Sequence, residues 1–210
     1  MYDGEPNHPP DDASRPPGRR QRKKQHTRDE LMACAAHLFA ERGFDAVTTA
    51  DIADAADVSQ RTFFRHFPSK EAVVYGRAHE LRDAIVTTFR SRPCDESTVD
   101  SVVAAMTAIA RHYDTDHDEA FLQARLAATY PSVASYARAT VQSDWEHELT
   151  AAIAQRTGTD PSIDPEPEIL AGAAFSAYRA AIRRWSAGAG DDRFGDLLAD
   201  SLAVFARLRR

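Results

Sequence analysis

Residues 38–71 read LFAERGFDAVTTADIADAADVSQRTFFRHFPSKE, and their spacing predicts short helical segments joined by tight turns. An amphipathic helix closes at Gly43, a residue free to adopt the left-handed backbone of a helix end. A second helix begins at Thr48-Thr49 and buries Ile52, Ala53 and Ala56. A turn runs through Asp57-Val58-Ser59, and Ser59 caps a third helix. That helix turns Phe63 and Phe67, four residues apart, toward a core and leaves Gln60, Arg61 and Thr62 at its open start. An apolar back with polar side chains near the N-terminus is what a helix needs to dock on its neighbours and reach base edges. A bundle that merely packs has no such need. Pro68-Ser69 ends the third helix and caps the next. Upstream, Thr27 and Glu30 form a T-x-x-E box that predicts the start of the first helix, ahead of Leu31, Ala35, Leu38 and Phe39.

On these residues the chain resembles the TetR family of bacterial repressors. Residues 27–71 are similar to that family's N-terminal domain, whose pattern runs LFAERGF, TT, IA, GVS and TLYRHFPSKE. Two positions depart from it. Asp57 stands where the family usually has the turn glycine, and Asp tolerates left-handed geometry better than most residues. Phe64 stands where the family usually has Tyr, so a phosphate hydrogen bond from that hydroxyl is lost. The resemblance implies that Thr48 and Thr49 open a helix against the DNA backbone and that His66 and Lys70 touch phosphates. Ser59, Gln60, Arg61 and Thr62 open the recognition helix toward base edges, Gln and Arg being types that make bidentate contacts to adenine and guanine, and Phe64 remains a DNA-contact candidate at the tyrosine position.

The formal net charge of −6 is unevenly spread. From Arg15 to Lys70 there are eleven Lys and Arg against seven Asp and Glu, whereas the remainder is acidic. Positive charge is gathered where DNA would lie. Its densest part, Arg19, Arg20, Arg22, Lys23 and Lys24, reads either as a disordered arm along phosphates or the minor groove, or as a solvated tail. The start, MYDGEPNHPPDDASRPP, is acidic and Pro-rich without the apolar stretch of a signal peptide. No apolar run approaches membrane-spanning length. Cys34 and Cys94 make no disulfide framework. A cytoplasmic address is expected.

Beyond residue 68 the pattern predicts helices over Ser69–Arg90, Ser97–Tyr113, Asp118–Thr129, Ser132–Thr157, Glu166–Ala187 and Asp191–Arg209, broken at Pro93, Pro131 and the Gly158–Pro167 segment. With the first three this gives an all-α, nine-helix chain, the count the TetR resemblance implies. The division is residues 1–26 as a disordered basic arm, 27–71 as the DNA-binding domain and 72–210 as an effector-binding and dimerisation domain. The last two helices carry small residues (Gly172, Ala173, Ser176, Ala177, Ala180, Ala181) and an apolar stripe (Phe194, Leu197, Leu198, Leu202, Phe205). A monomer could bury both; in TetR-like proteins the corresponding pair forms a homodimer interface, which suits a pseudopalindromic operator.

No nucleotide-binding or nucleophile-elbow motif is present, so no catalytic residue and no cofactor are expected. The segment His112-Tyr-Asp-Thr-Asp-His-Asp fails as a calcium loop, with Glu119 and Arg125 at the glycine and glutamate positions. It reads as a polar helix joint, and no metal is expected. Candidate walls of an effector cavity are Phe121, Leu122, Arg125, Tyr130, Tyr136, Trp145 and Tyr178, although plain core packing would use the same residue types. Arg125, amid Phe121-Leu-Gln-Ala-Arg-Leu-Ala-Ala, would need a carboxylate or an anionic ligand if buried. Arg125-Leu126, Pro131, Trp145 and Tyr178 near Trp185 also resemble mycofactocin-regulator-like members of the family, which are associated with acyl-CoA-like ligands. The sequence thus points to a homodimeric, ligand-responsive repressor of a double-stranded DNA operator, with an effector that is anionic or polar-headed and has an apolar body. An enzyme or ligand carrier on the same scaffold, and a DNA-binding protein without effector control, are the competing classes.

Overall fold

The computed structural model describes residues 18–188 and 192–207, and all regular elements among them are helical. They are α1 (Arg19–Arg42), α2 (Thr49–Ala55), α3 (Gln60–His66), α4 (Lys70–Val74), α5 (Ala78–Arg90), α6 (Thr98–Thr115), α7 (His117–Thr129), α8 (Pro131–Tyr136), a π-helical segment (Ala137–Gln142), α9 (Ser143–Thr157), α10 (Glu166–Ala187) and α11 (Phe194–Arg207). The run from α8 through the π segment to α9 is continuous. Counted as one helix, it brings the total among the described residues to ten. The tenth arises because the single helix expected over Ser69–Arg90 breaks at Tyr75-Gly76-Arg77.

Local chemistry explains most boundaries. Ser59 and Ser69 cap α3 and α4, accepting from the backbone N–H of Thr62 and Ala72, and Ser97 caps α6 in the same way. Thr48 and Asp51 form a reciprocal capping box at α2. Asp57 takes the turn between α2 and α3 at φ 51°, as its tolerance for that region predicts. Gly43 closes α1 at φ 78°.

The start of α1 differs from expectation. Thr27 and Glu30 lie inside the helix, which begins at Arg19 after an N-cap Gly18 without a side-chain cap bond. A T-x-x-E box marks a terminus only where something upstream breaks the chain, and Arg19–His26 contains no Gly, Pro or β-branched residue. Residues 19–26 are therefore exposed helix, not a disordered arm, while residues 1–17 of the expected arm lie outside the described residues.

Two apolar clusters fill the molecule. One joins α1 to α4 through Leu31, Phe39, Phe44, Ile52, Phe63, Phe67 and Val73, and also takes in Leu126 and Val133 from α7 and α8. The other is built by α5, α6, α7, α9, α10 and α11 around Phe89, Met106, Trp145, Phe175, Tyr178, Trp185 and Phe194. Tyr75 and Tyr136 pack against both clusters.

The π segment has a reading in the sequence. Val133, Ala137, Val141, Trp145, Leu149 and Ile153 are all buried and recur at every fourth residue. In a straight α-helix of 3.6 residues per turn, such a stripe rotates by about 40° at each step and would leave the core within a few turns. A wider π turn underwinds the helix and keeps the stripe facing inward.

Gly76 is buried at the α4–α5 break because α1 leaves no room there. A Cβ would sit 2.4 Å from Met32 Sδ and 2.9 Å from its Cγ. Gly76→Ala is therefore expected to cost about 1–3 kcal/mol by overpacking, partly recovered by a second substitution Met32→Val. Equilibrium urea unfolding checks this, and an unchanged midpoint in Gly76→Ala would contradict it.

Candidate functional site

The turn between α2 and α3 fixes the exposed surface of α3. Gln60 Nε2 donates to Thr49 Oγ1 at 3.0 Å, tying the starts of the two helices together. Thr48 Oγ1 donates to Asp51 at 2.6 Å, and the Ser59 and Thr62 hydroxyls lie 3.0 Å apart. The Asp51 carboxylate is thereby held below its ordinary range, first by the Thr48 hydroxyl and then by the Thr48 N–H. Thr48 and Ser59 thus spend their side chains on capping, and the Thr62 hydroxyl is engaged with that of Ser59. What faces solvent along α3 is Gln60, Arg61, Phe64 at 50% exposure, and Arg65. Arg65 was missed in the sequence reading, although its four-residue spacing from Arg61 puts both on one face.

Two expected phosphate contacts are placed otherwise. Lys70 Nζ donates to the carbonyls of Phe44 (2.7 Å) and Val47 (2.8 Å) and lies 4.1 Å from the Phe44 ring centroid. It pins the α1–α2 loop from beneath, and sequence spacing cannot reveal backbone carbonyls as partners. His66 ends α3 with Nδ1 buried and unpartnered, and its pKa is lowered by burial and then by the charges of Arg65, Arg28 and Lys24. It is held neutral.

Arg28, also absent from the expected set, joins three elements. Its guanidinium donates to His66 O (2.9 Å) at the end of α3 and to Gly76 O (2.8 Å) at the α4–α5 break, and stacks 4.2 Å over Phe67. One residue before Gly76, Tyr75 stacks on Tyr136 with ring centroids 6.1 Å apart.

Tyr75 is also a wall of an internal cavity of ≈ 50 Å³, together with His112, Tyr113, Gln142, Trp145 and Tyr178. The Tyr113 and Tyr178 hydroxyls meet at 2.6 Å, and burial raises both phenols, Tyr113 to about 12. Trp145 Nε1 donates to Ala78 O at 2.9 Å. A cleft of ≈ 140 Å³ continues outward past Ala124, Ala127, Ala137, Gln142 and Ile182 to a rim bearing Arg138, Arg179 and Arg183. Gln142 Oε1, at the junction, is buried without a partner.

Of the expected effector residues, Trp145 and Tyr178 line this cavity. Phe121 sits one layer away, its ring centroid 5.1 Å from that of Trp185. Arg125 is corrected: it is exposed on α7 between buried Ala124 and Leu126, so its charge stays in water. Tyr130 packs on Phe44 at 5.3 Å, bracing α1–α2 instead of a ligand. Within His112–Asp118 the acids serve local pairs, His112–Asp116 at 3.5 Å and Arg193–Asp114 at 2.9 Å, and no potential metal cluster occurs among the described residues. No helix among them is long and apolar enough to cross a membrane.

A capped two-helix turn presenting Arg61 and Arg65, joined to a larger helical body with an internal cavity, defines a helix-turn-helix transcriptional regulator. The profile described as "Bacterial regulatory proteins, tetR family" matches residues 31–74, and that of the MftR C-terminal domain matches residues 96–209. The transcriptional regulator TcmR of Streptomyces glaucescens is 32% identical over 176 residues, covering 80% of this chain and 77% of its own. MftR of Mycobacterium tuberculosis, named as a mycofactocin biosynthesis regulator, is 27% identical over 173 residues, covering 77% of this chain and 83% of its own. The fatty acid degradation regulator FadR from Bacillus halodurans shares the fold with a TM-score of 0.58 at 16% identity, over 90% of this chain and 96% of that one. The chain belongs to the TetR family of transcriptional regulators, and these relatives are regulators, not enzymes.

The two basic residues are expected to behave oppositely. Lys70→Met removes two charge-assisted bonds and should lower folding stability by about 1–3 kcal/mol. Arg65→Ala, on an exposed face, should stay within about 0.5 kcal/mol of wild type. Chemical denaturation of both variants decides, and a stable Lys70→Met protein would mean the clasp contributes nothing.

Proposed function

We propose that the protein is a homodimeric repressor that binds a pseudopalindromic operator in the cytoplasm and releases it when a small molecule enters the helical body. Residues 27–71 serve the DNA and residues 72–210 the effector and the partner protomer. The observation that carries this reading is the double position of Tyr75. It is at once a wall of the internal cavity and the C-cap of α4, a helix that packs on α1, and it is one residue from Gly76, whose carbonyl Arg28 holds. An occupant larger than the present ≈ 50 Å³ must push such walls apart. Movement of Tyr75 and Tyr136 shifts α4, and Arg28 carries the shift to α3. The recognition helices of two protomers then no longer match half-sites one turn apart.

The cavity walls suit an apolar body. The unpartnered Gln142 Oε1 and the rim arginines Arg138 and Arg183 suit a polar or anionic head, the role that Arg125 was expected to fill. For the dimer, Ile169 on α10 and Val204 on α11 are 63% and 49% exposed, with Ala180 and Ala203 beside them. A second copy would cover this face, giving the twofold symmetry that a palindrome requires.

In this reading Gln60 and Arg61 read bases. Selection of bound duplexes from a random pool should return an inverted repeat, and Gln60→Ala/Arg61→Ala should relax one or two positions in each half, about 1–3 kcal/mol per base pair. An unchanged consensus would remove both residues from base readout. Ile169→Glu should yield a folded monomer in sedimentation with much weakened operator binding; a dimer of normal affinity would move the interface elsewhere.

A further inference from the structure

The first turns of α1 are helix, although their local electrostatics oppose helix. Arg19, Arg20, Arg22, Lys23, Lys24 and Arg28 are cationic, and no Asp or Glu occurs from Gly18 to Arg28. Cations at a helix N-terminus face the unfavourable end of the macrodipole. The pairs Arg19–Lys23, Arg20–Lys24 and Lys24–Arg28 set like charges four residues apart, which destabilises a helix. Gly18 provides no side-chain cap. The nearest acids are engaged elsewhere, Asp29 with Gln25 (3.0 Å) and Glu30 with His26 (3.2 Å). Among the described residues no carboxylate pairs with the five cations before Arg28.

Their placement is directional. Arg20, Lys24 and Arg28 share one face by four-residue spacing, the face that reaches Leu31 and Ala35 in the core further along. Arg28 grips the last carbonyl of α3, and Lys24 sits close enough to His66 for its charge, after burial and the charges of Arg65 and Arg28, to favour the neutral ring. Arg65 is also exposed, on α3. From the Arg28 contact at the end of α3, Lys24 and Arg20 lead outward along α1. From Arg28 to Arg20 the helix rises about 12 Å at 1.5 Å per residue, the length of roughly 3–4 base pairs at 3.4 Å each.

We propose that the N-terminal turns of α1 are a second DNA-contacting element, in which Arg20 and Lys24 neutralise backbone phosphates flanking the half-site read by α3. The polyanion supplies a counter-charge that no carboxylate among the described residues gives this stretch of helix. The proposal rests on the operator-binding reading above.

The test compares wild type with Arg20→Gln/Lys24→Gln, which keeps helix-forming side chains on the full chain. Each binds the selected operator in two duplexes that end about 2 or about 8 base pairs beyond the half-sites, lengths chosen to exclude or include the roughly 3–4 base pairs reached by the ridge. On the long duplex the variant should lose tenfold or more in affinity, and its salt slope should fall by about two units per protomer. On the short duplex the two proteins should agree within about twofold, because the contacted phosphates are missing. A charge-retaining Arg20→Lys/Lys24→Arg variant should keep the flank dependence. Equal loss on both duplexes, or no loss on either, overturns the proposal. Wild type that binds the operator equally well at both lengths overturns the flank contact alone, whereas wild type that binds neither duplex overturns the operator reading as well.

Discussion

The Arg28 guanidinium is the contact on which the DNA-binding part and its connection to the rest depend. One planar group satisfies the carbonyl of His66, where α3 ends, and the carbonyl of Gly76, where the chain breaks between α4 and α5, while its face covers Phe67. Burial pulls its pKa down, with Asp29, Glu80 and Tyr136 pulling the other way. An arginine suits this place because its fork of donors is rigid and stays charged when partly desolvated. Lys70 makes the equivalent closure on the other side, holding Phe44 O and Val47 O. Between these two cations α3 is fixed in direction and can present Arg61 and Arg65 from a rigid base.

That base is joined to a larger helical body. The internal cavity holds ≈ 50 Å³ and the adjoining cleft ≈ 140 Å³, below the roughly 300–1,000 Å³ typical of ligand sites. Aromatic rings meet across the space. Its polar features are few and pointed: the Tyr113–Tyr178 hydroxyl pair, the unpartnered Gln142 Oε1, and arginines at the rim. Opening this space to water would expose its apolar and aromatic walls, which is costly without an apolar occupant.

The sequence was most legible where backbone chemistry is local. Ser59 and Ser69 as caps, the helix start at Thr48-Thr49, Asp57 in the left-handed turn, and the Glu166–Ala187 helix all follow from residue type and spacing, and the helix-turn-helix with them. Legibility failed where a neighbour distant in sequence decides. Gly76 is kept without a side chain by Met32 lying against it, and Lys70 is claimed by carbonyls some 26 and 23 residues away. Arg125 shows the limit of reading apolar runs: flanking Ala124 and Leu126 are buried, yet the residue between them points to water. The π segment was visible in principle, since six buried residues at a strict spacing of four do not fit an unbroken α-helix.

The central claim is that expansion of the cavity and the set of the recognition helix are linked through Tyr75 and Arg28. Ala124 lines both the cavity and the cleft and is buried, so Ala124→Phe places a permanent occupant where an effector would lie. The most direct measurement is the operator affinity of this variant by fluorescence anisotropy, alongside its helicity and unfolding cooperativity. The account predicts a folded protein whose operator affinity has fallen tenfold or more. A folded Ala124→Phe protein that binds the operator as tightly as wild type would contradict it.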